Sequence, residues 1–134
     1  MPHSARTKVQ LQKLANFPAI DGCALVEVET GMAWHVAGNH PELERVGEAA
    51  IEFWRVQARL TDHLGELGAL KSAAYSFENR VVALFPCCDA PPLVLVCVAR
   101  KGPVNWAAWG AEVEVLRRGL ASASTNDPSR AAEG

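Results

Sequence analysis

The sequence has no run of lysine and arginine able to follow a phosphate backbone. Its 13 basic and 15 acidic residues are scattered and leave a net charge of -2, which argues against nucleic acid as a partner. It has no apolar stretch long enough for a bilayer; the longest, Pro91 to Ala99, is about half a membrane helix. The amino end, MPHSARTKVQLQKL, lacks the uninterrupted apolar core of a secretory signal. A soluble, cytoplasmic protein without membrane insertion is therefore expected. There is no Cys-x-x-Cys or His-x-x-x-His spacing, and His3, His35, His40 and His63 lie far apart, so neither a metal nor a cofactor is called for. Cys23, Cys87, Cys88 and Cys97 could form two bridges, but Cys23 and Cys97 sit inside strand-like apolar runs, where free cysteine behaves as a small hydrophobe.

What is present is the composition of one globular domain. Of 134 residues, 49% are apolar and 21% charged, enough to build a single core and too apolar for global disorder. The chain is organised around GCALVEVETGMAWHVAG, from Gly22 to Gly38. Cys23 to Val28 and Met32 to Val36 favour strands, and Thr30-Gly31 offers the positive φ of a tight turn, so an antiparallel hairpin is expected. Before it, residues 4–16 suit a short helix capped by Ser4, with Val9, Leu11 and Leu14 on one side and Phe17-Pro18 at its end.

After the Gly38-Asn39-His40 loop, Pro41 fits a first helical turn. From Glu42 to about Leu64 the residues Leu43, Val46, Ala50, Phe53, Trp54, Leu60 and Leu64 recur at helical spacing. Phe53 and Trp54 are neighbours about 100° apart, which with Val56 makes the apolar stripe wider than one packing face requires; part of this helix is expected to meet another chain. Ala69 to Phe77 reads as a third strand, with Ala73, Tyr75 and Phe77 alternating against small or polar residues, as an edge or intersubunit strand tolerates. Val81 to Phe85 and Leu93 to Ala99 are apolar throughout and read as strands buried on both faces, joined by a loop over Pro86 to Pro92. Gly102-Pro103 breaks the chain. Asn105 then caps a closing helix marked by Trp106, Trp109, Val113, Leu116 and Leu120, with both tryptophans in the core. From Ala121 to Gly134 the composition reads as a disordered tail. The fold class is thus α+β, an α/β/α sandwich built on a five-stranded antiparallel sheet.

The order helix, strand, strand, long helix, three strands, helix resembles the Roadblock/LC7 family of profilin-like domains over roughly residues 8–120. GCALVEVETG resembles the family's opening hairpin, with Gly22, Glu29 and Gly31 on its fixed positions, and YSFENRVVALFP followed by LVLVCVA resembles its second half. Asn105 matches the start of the last helix, where Trp106 departs from the usual leucine. The resemblance implies a homodimer in which third strands pair and long helices pack side by side. It also implies a regulator or scaffold for a small Ras-like GTPase. The chain has no Gly-x-x-x-x-Gly-Lys-Ser/Thr loop, so nucleotide binding on its own is not expected.

The residues assigned to the homodimer or partner interface are Phe53, Trp54, Gln57, Ala73 and Tyr75. Two readings from other classes compete with a non-enzymatic module. One is a small-ligand sensor with a polar pocket between sheet and long helix. The other is a thiol enzyme using Cys87 or Cys88, which would need a depressed thiol pKa. Glu27 and Glu29 share a strand face without a partner to shift them, His35 beside Trp34 reads as a surface pair, and Arg117-Arg118 suits the carboxyl end of a helix.

Overall fold

The computed structural model describes residues 2–102 and 104–125. Its elements are α1 (Pro2–Ala15), β1 (Ile20–Glu27), β2 (Ala33–Gly38), α2 (Leu43–Arg59), a one-turn α3 (Thr61–Leu64) with a 3-10 turn (Gly65–Leu67), β3 (Ala73–Ser76), β4 (Arg80–Asp89), β5 (Pro92–Arg100) and α4 (Trp106–Thr125). The five strands form one antiparallel sheet in the order β2-β1-β5-β4-β3. The most apolar strands, β1 and β5, therefore lie inside the sheet and the most polar, β2 and β3, at its edges. That placement leaves no interior strand with a polar face to desolvate.

The pleat sorts the core into two layers. Cys23 and Leu25 of β1 and Leu93, Leu95, Cys97 and Ala99 of β5 face α1 and α4, meeting Leu11, Leu14, Trp109, Val113, Leu116 and Leu120. Ala24 and Val26, with Val94, Val96 and Val98, face the other way and meet Leu43, Ala50 and Ile51 of α2. Trp109 is fully buried; its indole N–H donates to the Leu14 carbonyl at 3.0 Å and ties α4 to the end of α1. Asn105 caps α4 as expected, its Oδ1 accepting the Ala108 N–H at 3.0 Å.

Several local expectations are corrected. α1 already includes Ser4, which is therefore not its cap. The hairpin turn is wider than Thr30-Gly31: β1 stops at Glu27, and the Gly31 N–H, at φ 75°, closes on the Glu27 carbonyl at 2.9 Å. Pro41 precedes α2 rather than opening it, and the Glu42 N–H approaches His40 Nδ1 at 3.4 Å. The long helix ends at Arg59, and Leu60 and Leu64, expected on its buried stripe, are 38% and 40% exposed. Trp106 is 39% exposed and packs edge-on against Trp109, so one of the two tryptophans is core. α4 continues to Thr125, five residues into the stretch expected to be tail; residues 126–134 lie outside those described.

The largest correction is β4, which runs through Pro86-Cys87-Cys88-Asp89, leaving only Ala90-Pro91 as the turn. β3 pairs with β4 only from Val81 to Leu84, so the rest of β4 has one free edge. The Arg80 carbonyl points toward β3, accepting the Phe77 N–H at 2.8 Å, and by alternation Pro86 points to the same side. Proline's missing N–H therefore costs no ladder bond there. Its carbonyl accepts Arg117 Nε at 2.8 Å, and the exposed edge is closed to strand addition at that point.

Candidate interaction surface

The surface of interest is built on α2, and the sequence positions that helix by close approach at one end. Gly47 faces the sheet, where an added Cβ would stand 2.8 Å from Ala24 Cβ and 3.2 Å from Val26 Cγ2. Gly22 makes room for Leu43 in the same way, an added Cβ falling 2.6 Å from Leu43 Cδ2. Further along, Arg55 turns back over the hairpin, donating to the Val28 carbonyl from Nε at 3.0 Å and Nη2 at 2.7 Å, with Nη1 on Glu52. Gly31 lies under this guanidinium, an added Cβ being 3.3 Å from Nη2. α2 is thus bolted to β1 and the hairpin, and Phe53, Val56 and Leu60 are left 38%, 46% and 38% exposed.

The five residues assigned to an interface fall into two connected groups. Phe53 and Tyr75 stack, with centroids 4.2 Å apart and rings 20° from parallel, which joins α2 to the edge strand β3. Ala73 sits two residues before Tyr75 on the same face of β3, half-buried and paired with Leu84. Trp54 packs on the α2-side core and, with Gln57, lines a groove of about 820 Å³ at the carboxyl end of the helix. Leu64, Leu67 and Leu70 form its far wall; Cys87, Cys88 and Arg117 lie at its near side.

The sequence reading missed the leucines that follow α2. Leu60 and Leu64 lie on the helical spacing and Leu70 within the span read as the third strand, while Leu67 carries no assignment; all four are exposed, Leu67 by 84%. Gly65 and Gly68, which in the sequence close the long helix, interrupt this run, and a stripe broken twice by glycine does not continue along one helix face.

The same geometry bears on the competing readings. The space between α2 and the sheet, where the alternative sensor reading puts a ligand pocket, is filled by Ala24, Val26, Leu43, Ala50, Ile51, Val94 and Val96; the groove lies beyond the helix end and is open. Burial pushes the Cys87 thiol up to about 12 despite the nearby Arg117, the opposite of what a thiolate nucleophile requires. Among the described residues no group of three or more His, Cys, Asp or Glu side chains is placed to hold a metal ion, and no helix is long and apolar enough to cross a membrane.

Two layers of helix around a sheet in this strand order, with α2 alone on one face, match solved structures over most of the chain. A Roadblock/LC7 domain from Streptomyces avermitilis superposes with a TM-score of 0.74, covering 89% of this chain and 98% of that one at 13% identity. The chain has the Roadblock/LC7 fold. Myxococcus xanthus MglB gives a TM-score of 0.72 over 87% of this chain and 86% of its own at 11% identity. An MglB solved in a tetrameric arrangement gives 0.73, covering 92% and 93% at 16% identity. No family model and no curated protein matches the sequence. In this roadblock fold three of the positions that carried the resemblance have local structural work: Gly22 and Gly31 make room for α2 side chains and Asn105 caps α4.

Proposed function

We propose that the chain is a non-enzymatic, homodimeric roadblock module that regulates or tethers a small Ras-like GTPase, acting through the α2 surface. The observation that carries the reading is a set of exposed apolar side chains on α2, Phe53, Val56 and Leu60, joined to the edge strand β3 through the Phe53–Tyr75 stack. Apolar side chains clustered in this way on a monomer mark a contact surface. These side chains and the strand edge adjoin, so one symmetric partner can cover both. The tetrameric MglB supports self-association of this fold. A regulatory rather than catalytic role is supported by the raised Cys87 thiol and by the absence of a phosphate loop from the sequence.

The test is solution mass by light scattering, alone and after mixing with a Ras-like GTPase from the same genome in its GDP and GTP forms. A dimer that captures one nucleotide form is the expected result, and the GTPase hydrolysis rate then separates regulation from tethering. A monomer at high concentration would refute the dimer, and a dimer that binds neither form would refute the GTPase as partner.

A further inference from the structure

The opposite face of the sheet carries a second groove, independent of α2. α1 and α4 run antiparallel and close together at one end, where Gln10 Nε2 donates to the Glu112 carboxylate at 2.9 Å and Trp109 reaches Leu14. Toward the amino end of α1 they leave a groove of about 630 Å³ with walls including Val9, Val115 and Leu116. Val9 is 70% exposed and Val115 45%. The charged side chains lining the groove are Arg6 and Arg118, no acidic residue lines it, and neither arginine makes an ion pair among the described residues. α1 as a whole carries Arg6, Lys8 and Lys13 and no Asp or Glu, in a chain whose net charge is -2.

Gly119 is the second observation. It lines this groove in the interior of α4, where glycine costs roughly 1 kcal/mol against alanine. No packing among the described residues requires it, because an added Cβ would meet none of their atoms within 4 Å. A small residue facing an open apolar groove lets an incoming backbone approach closely.

We propose that the α1–α4 groove docks an acidic amphipathic helix of a partner protein, its apolar side chains entering between Val9 and Val115 and its carboxylates meeting Arg6 and Arg118. Helix-in-groove recognition of this kind needs an apolar trough with complementary charge on the rims, which is the arrangement present. The chain's own residues 126–134, NDPSRAAEG, carry no apolar side chain larger than proline and cannot fill the trough. An anionic membrane is a poorer match, because the apolar side chains wall a concavity lined by no aromatic residue rather than projecting from a convex helix face.

The probe is a synthetic helical peptide of about 18 residues, leucines on one face and glutamates flanking them, with a lysine-flanked counterpart and phosphatidylserine vesicles as comparisons. Binding is read by fluorescence anisotropy and by amide shifts of the full chain. The glutamate peptide is expected to saturate, to shift α1 and α4 amides, and to bind about tenfold or more tighter than the lysine peptide. Gly119→Leu should block it with thermal stability unchanged or raised, and Arg6→Glu with Arg118→Glu should weaken it about tenfold. The proposal is overturned if the glutamate peptide does not bind, if its shifts fall on α2, or if Gly119→Leu leaves its affinity intact. Vesicle binding through the same arginines without peptide binding would overturn it in favour of a membrane. Affinity that rises on removing residues 126–134 would make the tail the occupant.

Discussion

Replacing Gly47 with alanine tests how α2 is held. Helix propensity alone favours the change: alanine in place of glycine in a helix interior is worth about 1 kcal/mol. The structure opposes it, because the new methyl would stand 2.8 Å from Ala24 Cβ and 3.2 Å from Val26 Cγ2. Carbon atoms settle at roughly 3.5–4.0 Å, so helix and strand must part by well over half an ångström. The nearest obstacle is a Cβ fixed to the interior strand β1, with no rotamer to turn away. Overpacking of this sort costs about 1–3 kcal/mol and is larger than the propensity gain over most of that range. Gly47→Ala is therefore expected to lower stability by about 0–2 kcal/mol net in urea unfolding followed by circular dichroism. Ala24→Gly removes the obstructing methyl, so the double variant should be more stable than the sum of the two single changes by at least about 0.5 kcal/mol. A Gly47→Ala protein more stable than the parent, or strictly additive effects, would show that α2 is not seated by this contact.

Other expectations concern the surface and the core. Tyr75→Asp and Trp54→Asp should each weaken self-association by light scattering, Tyr75→Asp by also breaking the Phe53 stack; an unchanged dimer in both variants would remove these residues from the interface. Trp109→Phe leaves the buried Leu14 carbonyl without its indole donor and opens space beside Phe85, so a loss of about 2–4 kcal/mol is expected in urea unfolding, and a loss under about 1 would mean the bond contributes little. With its thiol at about 12, Cys87 is roughly one part in ten thousand thiolate at pH 8, so peptide mass mapping after iodoacetamide should find it unmodified in the native state and modified in denaturant. Rapid native labelling of Cys87 would contradict its burial.

The elements legible in the sequence are those whose partners are also apolar and local. β1 and β5 were readable because an interior strand buried on both faces needs successive apolar residues, and Cys23 to Val26 and Leu93 to Ala99 supply them. Asn105 was readable because capping is decided within four residues. Pro86 misled because proline was weighed as a strand breaker, whereas its missing N–H points to an edge with no neighbour. Leu60 and Leu64 misled because helical spacing says which residues share a face, not whether that face reaches the sheet. The candidate surface was half legible: adjacent Phe53 and Trp54 announced an over-wide stripe, but the Phe53–Tyr75 stack and the Arg55 anchor join segments far apart in the chain and have no local signature.

The shortness of β3 has a consequence for assembly. Its four residues, Ala73 to Ser76, are all the edge that strand offers, since Arg117 occupies the Pro86 carbonyl on the β4 edge past it. Two copies meeting antiparallel through so brief an edge have few registers to choose from, and each such pairing consumes both edges at once. Self-pairing of β3 with β3 would therefore stop at two: such a joint closes on itself and cannot propagate a filament, however high the concentration.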